Sequence, residues 1–353
     1  MKILRIYTKL PPMKGGMEKH IRYLTEYQLV TGHEVSLFFN QGEKLSSRDI
    51  RILGVIKLFR IRPQFLGMLI FYIPIICYLM VKPRYFDVLH IHGDWNSFLW
   101  AGILKKITRS KKMILSFHGS TESYGRVKKF LLHQTVSKTN LVFCTGYNSF
   151  ELLKWHPGAI FQPSGVDPVF FESSKLPKNT KTTVITVSRL EKVKNLETVL
   201  EIAKMLPELD FIIAGQGSCR QKLEKIVKKE GIKNVVMTGQ LDKYQLADHL
   251  NSAHIFLLTS FEEGTPTAAL EAMSAGLALV VSNAGGIKAI IESGKNGFII
   301  DQPTDVPAFT RAIKSLITDK SELSKIQVEN KRIAENFRWT VVGERITQKM
   351  IDA

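Results

Sequence analysis

Cysteine is scarce. The 353-residue chain holds three, Cys77, Cys144 and Cys219, at no short spacing. That excludes a disulfide scaffold or a zinc knuckle and suits a reducing cytosol. No (G-x-y) period, heptad run or repeat of 20–50 residues is present, which excludes collagen, coiled coil and solenoid. No Gly-x-Ser-x-Gly elbow or P-loop occurs. The opening Met1–Ile6 has no long apolar stretch, so no signal peptide is expected. Negative charge is thin in the first half. Residues 1–165 hold 9 Asp/Glu against 24 Lys/Arg, net +15, whereas residues 166–353 hold 23 against 25, net +2.

Long apolar runs are also wanting. The best is Gln64–Val81, eighteen residues without a charge, flanked by Arg60, Arg62, Lys82 and Arg84. At about 1.5 Å per residue it is marginal for a membrane span, and Pro74 would kink it. A span would also separate Ile3–Tyr7 from Val88–Ile91, which read as strands of one sheet. Two readings stay open: a buried helix, or a helix whose outer face dips into a membrane between basic flanks.

What is present is a globular composition, 44% apolar and 23% charged, at a length that suits two domains. Short β-rich runs alternate with helical patterns in both halves. Ile3–Tyr7, Val35–Phe39, Val88–Ile91, Met113–Phe117 and Leu141–Cys144 read as strands of the first sheet. Val184–Val187, Phe211–Ala214, Val235–Thr238, Ile255–Thr259, Leu279–Ser282 and Phe298–Ile300 read as strands of the second. Alternation of this kind predicts α/β architecture, with two doubly wound parallel sheets and the stretch 163–183 as linker. Ligands in such sheets bind beyond the carboxyl ends of the strands, and two facing domains would form a cleft.

Several loops carry chemistry. Gly15-Gly16 lies between the first strand and helix, where a backbone can approach a phosphate closely. Ser188-Arg189-Leu190 follows a strand, with Lys194 five residues after Arg189. Two cations there can hold a diphosphate, Arg189 bidentately and Lys194 as a point charge. In Phe261–Glu271, Thr265 is the expected N-cap and Pro266 the first helical residue, with Gly276 ending the helix. Gly264, Thr265 and Pro266 lie at the helix start, where free N–H groups would face a ligand. Glu271, in the second turn, can reach back to a ribose diol. Glu263 is placed to contact a sugar hydroxyl. His118 follows a strand, and His90, His92 and Asp94 cluster at another strand end. A metal on His92, Asp94 and His118 lacks a helical His pair or a cysteine to complete it, so no metal is expected. The basic stretches Lys105–Lys112 and Arg126–Lys129 lack interleaved stacking aromatics, so no nucleic-acid partner is expected.

Taken together, the chain resembles the retaining glycosyltransferases of family 4, with the GT-B fold, over nearly its whole length. The resemblance rests on Gly15–His20 with Gly32–Val35, on Phe86–His92, on Gly165-Val166-Asp167 with Phe170, and on Ser188-Arg189-Leu190 with Lys194. It rests also on Glu263 and Glu271 with seven residues between, and on Ala284–Ile287 and Gly294–Phe298. One departure is Lys288-Ala289, where the family often has Pro-Glu.

The resemblance implies a nucleotide-sugar donor held mainly by the second domain. Arg189 and Lys194 would hold the diphosphate, Glu271 the ribose and Glu263 a sugar hydroxyl. Gly239-Gln240-Leu241 would lie on the base, and the Gly16 backbone would approach from the first domain. His118 and Glu263 would stand nearest the chemistry, with Gly15, His92 and His118 on the acceptor side. The expected organisation is an acceptor-binding, membrane-facing domain over 1–165 and a donor domain over 166–338. A terminal helix, 339–353, crosses back at Phe337-Arg338-Trp339. Expected partners are a UDP- or GDP-sugar, a lipid-linked or oligosaccharide acceptor and an anionic membrane surface. No cofactor is expected, and the site of action would be the inner face of the plasma membrane, on surface polysaccharide or lipopolysaccharide. The alternatives are a nucleotide-sugar epimerase on the same fold and an inactive membrane-bound scaffold.

Overall fold

A computed structural model describes residues 1–12, 16–53, 61, 64–118, 124–172 and 178–353. Two compact units emerge, one of Met1–Gly165 with Trp339–Ala353, the other of Val166–Arg338.

The first unit runs β1 (Lys2–Ile6), α1 (Gly16–Val30), β2 (Glu34–Phe39), β3 (Ile50–Arg51), α2 (Gln64–Val81), β4 (Val88–Gly93), α3 (Trp95–Phe98), α4 (Ala101–Thr108), β5 (Lys112–Phe117), α5 (Arg126–Val136), β6 (Leu141–Cys144), α6 (Tyr147–Leu153) and β7 (Ala159–Phe161). All strand pairs are parallel, in the order β3-β2-β1-β4-β5-β6-β7. The strands are apolar along most of their length because helices cover both faces. One layer buries Phe71, Tyr72, Ile75 and Leu79 of α2 against Leu89, Ile91, Leu115 and Phe117 of the sheet. Burying each such side chain fully stabilises by about 1.5–3 kcal/mol. This settles half of the question left open by Gln64–Val81: its inner face is core. Its outer face shows Ile73, Met80 and Val81, exposed by 47%, 65% and 79%. Among the described residues no helix is long and apolar enough to cross a membrane.

The second unit runs β8 (Thr183–Val187), α7 (Leu196–Met205), β9 (Asp210–Ala214), α8 (Arg220–Lys229), β10 (Val235–Gly239), α9 (Lys243–Ser252), β11 (Ile255–Leu258), α10 (Thr267–Ser274), β12 (Ala278–Ser282), β13 (Gly297–Ile300), α11 (Val306–Thr318) and α12 (Lys320–Ala334). Its sheet is parallel, in the order β10-β9-β8-β11-β12-β13. The chain reverses its winding between β8 and β11, so the loops after these two strands flank the switch point where α/β sheets bind ligands.

The last helix, α13 (Trp339–Asp352), packs in the first unit on α1. Trp339 stacks on Tyr23 at 5.2 Å, and a Cβ on Gly343 would fall 2.6 Å from the Tyr27 ring. Part of the stretch read as a linker is ordered, while residues 173–177 lie outside the described residues. Pro168–Phe171 forms a 3-10 turn capped by Asp167, and Phe170 is buried in the second unit's core.

Candidate active site

In the second unit the loop after β8 is sewn to the loop after β9. Leu190 N–H donates to Gln216 O at 2.9 Å, and Ser188 N–H to Ala214 O at 3.1 Å. Gly215 makes this approach possible: its φ is +144°, and a Cβ there would sit 1.8 Å from Ser188 O. Arg189 is exposed at the tip. Beside it the Glu191 carboxylate accepts from the Ser218 hydroxyl and backbone. Those bonds, with the Arg189 charge, draw its pKa below the usual range. On the far side of Arg189 the turn Lys192–Lys194 ends at Asn195, a left-handed residue at φ 50°.

The loop after β11 lies against this turn. Phe261 N–H donates to Val193 O at 2.9 Å, and Thr259 Oγ1 donates to the carbonyls of Lys194 and Asn195. Lys194 Nζ then meets Glu263 Oε1 at 2.6 Å, with the side chains only 14% and 9% exposed. The Ser260 hydroxyl donates to the same oxygen at 2.7 Å. Behind Glu263, Gly285 takes φ +55°, and a Cβ there would fall 1.6 Å from Glu263 O. Gly286 N–H donates to Gly264 O at 3.0 Å. The two glycines thus fix the position of the Glu263-Gly264 backbone.

The helix that follows starts one residue later than expected. Pro266, not Thr265, is the N-cap of α10, with no side-chain cap bond. The reason lies in the backbone: Pro266 O accepts the first helical bond, from Ala269 N–H at 3.0 Å. Glu271 is half-buried in the second turn. Gly276, at φ +77°, closes the helix. Gly239 takes φ +80° and its carbonyl accepts from Gly215 N–H at 2.8 Å, so Gly239 and the half-buried Leu241 lie along the same strand ends.

The first unit gathers a second polar cluster. His92 Nδ1 lies 3.1 Å from His118 Nε2, and His118 Nδ1 lies 3.1 Å from Thr145 Oγ1. His20, on α1, holds Ser164 Oγ at 2.9 Å. One ring nitrogen each from His20, His92 and His118 fall within 4.8 Å of one another. Burial drives His118 down to about 4, and holds His20 and His92 well below the usual imidazole value. The fully buried Arg5 guanidinium adds to the depression of His20 and His92. It is held by Thr25 and, at 2.5 Å, by Gln28. These imidazoles are neutral at pH 7, and a buried cation beside them counts against adding a dication. Asp94, weighed as a ligand in the sequence, is not in the triad. It caps α3 through Asn96 N–H, and burial raises its pKa. Nearby Tyr7 OH donates to Glu18 at 3.5 Å. Gly16 is the first residue of α1; Gly15 lies outside the described residues.

The structure therefore joins Lys194 to Glu263 and His92 to His118. Sequence reasoning assigned no role to His20, Ser260, Gly215 or Arg5. His20 was visible in Gly15–His20, four residues after Gly16. The other three had no local signal, because the partners that give them a role come from other loops and helices.

Two parallel α/β sheets, each with its polar loops at the carboxyl ends of the strands, are the makeup of the GT-B fold. Comparison with known proteins agrees. Residues 14–155 match the family described as Glycosyltransferase Family 4, and residues 170–334 match Glycosyl transferases group 1. The chain belongs to the family-4-type glycosyltransferases and is a transferase enzyme. It is 25% identical to one subunit of the human phosphatidylinositol N-acetylglucosaminyltransferase, over 97% of this chain and 74% of that protein. Among solved structures it resembles the sucrose-phosphate synthase of Thermosynechococcus elongatus, with TM-score 0.81 and 18% identity over 99% and 98% of the chains. It also resembles Anabaena Alr3699/HepE in complex with UDP-glucose, with TM-score 0.75 and 16% identity over 100% of both chains.

Proposed function

We propose that the protein moves a sugar from a UDP- or GDP-sugar to a hydroxyl of a lipid-linked or saccharide acceptor, with retention at the anomeric carbon. The observation that carries this is the Lys194–Glu263 pair at the switch point. It sets a phosphate-binding cation beside a sugar-binding carboxylate, as a diphosphate and its sugar require. A structural neighbour holding UDP-glucose supports the donor class, and a relative named for transfer to phosphatidylinositol supports a lipid acceptor.

In the reaction the bond between the anomeric carbon and the diphosphate oxygen breaks. A bond from the acceptor oxygen forms on the same face. The hydroxyl proton passes to the departing diphosphate. Glu263, already bonded to Lys194 and Ser260, is a poor covalent nucleophile, and both His118 nitrogens are engaged by His92 and Thr145. Leaving-group assistance needs neither. Arg189, Lys194 and the N-terminus of α10 stabilise the negative charge that develops, without a metal ion. Glu271 holds the ribose, and Gly239 to Leu241 lie on the base. The net charge of +15 in the first half draws that unit to an anionic membrane face, where bacterial surface polysaccharide or lipopolysaccharide is assembled.

The test is a transfer assay with labelled UDP- and GDP-sugars and a membrane lipid extract. Label moving to lipid or saccharide supports the reading. Label appearing only as free or epimerised sugar, with and without acceptor, contradicts it.

A further inference from the structure

The basic first unit can meet a membrane with either end of its sheet, but not both. At the amino end lie Met80 and Val81, where α2 runs toward the start of β4. At the carboxyl end, where His118 and Asp94 stand, α5 opens soon after β5 finishes. Its buried side, Leu132 and Val136, belongs to the core. Its first turns put Arg126, Val127, Lys129 and Phe130 toward solvent, with Val127 71% and Phe130 61% exposed. Apolar side chains interleaved with cations are the pattern of a helix lying in a bilayer interface.

Charge complementarity names the occupant. Between Gln64 and Val136 the described residues include two carboxylates, Asp87 and Asp94. Asp87 pairs with Lys111 at the amino end of the sheet, and Asp94 is spent on capping α3. No described acidic side chain of that stretch offsets Arg126 or Lys129. In the basic stretch Lys105–Lys112, Lys111 is paired with Asp87 and Lys112 Nζ is bonded to the Met350 and Ile351 carbonyls. Lys128, the intervening cation, turns inward. Its ammonium lies 5.7 Å from the ring centroids of both Trp95 and Tyr124, and its charge acts on Asp94. Helix α5 thus links the solvent-facing apolar pair to the strand ends where an acceptor hydroxyl must arrive.

We propose that the first two turns of α5 dock on the anionic leaflet of a bilayer, with Val127 and Phe130 entering the interface and Arg126 and Lys129 at lipid phosphates. This rests on the reading of a lipid-linked acceptor, and it gives that acceptor its route: a headgroup hydroxyl reaches Asp94 and His118 with its chain still in the membrane.

Flotation of the full chain with phosphatidylcholine vesicles, with and without phosphatidylglycerol, tests it. Binding should need phosphatidylglycerol. Val127→Ser with Phe130→Ser should weaken it by more than about tenfold, since each buried large apolar side chain accounts for roughly that much. Ile73→Ser with Met80→Ser, on the outer face of α2, should change it less than about twofold, as expected for side chains outside the contact. The assignment to α5 is overturned if the α2 pair abolishes binding and the α5 pair does not, or if neither vesicle is bound. Nucleotide-sugar binding, measured by calorimetry on the same proteins, should be equal in all. Its absence from the unaltered chain would count against the transferase site and not against α5.

Discussion

Lys194 and Glu263 meet at 2.6 Å across the switch point of the second sheet, both largely out of water. They come from loops after β8 and β11, so the pair holds two strand ends together at the place proposed for the donor. Removing one partner leaves a charge with little solvent. Glu263→Ala should therefore destabilise the fold by up to about 3–5 kcal/mol. The double change Lys194→Met with Glu263→Leu should recover most of that loss, while donor binding stays lost. Urea unfolding of the three proteins gives the comparison. Equal stability of Glu263→Ala and the unaltered chain would show that the pair has no structural role.

Acidity should weaken the first unit. Burial and Arg5 depress His20 and His92, and His118 titrates near 4. The unfolded chain binds these protons near 6.5, the folded chain only at lower pH. The unfolded state thus holds more protons between those values, and stability falls as pH drops from about 6.5 toward 4. Melting curves between pH 7.5 and 4.5 should show this, with a shallower decline in His92→Asn. A flat profile would mean that the imidazoles are not neutral in the fold.

Much of this was legible in the chain. Eleven apolar strands were visible because a strand covered on both faces is apolar along its length, as in Val88–Ile91 or Leu279–Ser282. The strands β3 and β7 were not, since two or three residues at a sheet edge give no pattern. In the site, Arg189, Lys194, Glu263 and Glu271 stood out by residue type after a strand. Direct contact between Lys194 and Glu263, 69 positions apart, is a product of topology and has no local trace. Of the triad, His92 and His118 were already set together by their places at two strand ends, whereas His20 joins them only through the fold.

Transfer should survive chelation. In the proposed reaction Arg189, Lys194 and the α10 N-terminus would supply the positive charge that a magnesium ion supplies in other sites. Rates measured with excess EDTA should match those without it. Loss of activity with EDTA, restored by a divalent ion, would redirect attention to His20, His92 and His118.

The central claim is that the loops after β8 and β11, with α10, form a nucleotide-sugar site. Titration calorimetry of UDP- and GDP-sugars into the unaltered chain, Arg189→Ala and Glu271→Ala tests it most directly. One nucleotide class should bind saturably to the unaltered chain. Each substitution removes a hydrogen-bond partner of a charged group, worth about 1.5–3 kcal/mol, and should weaken that binding roughly tenfold or more. Unchanged affinity in both variants, or no binding of either nucleotide class to the unaltered chain, would contradict the assignment.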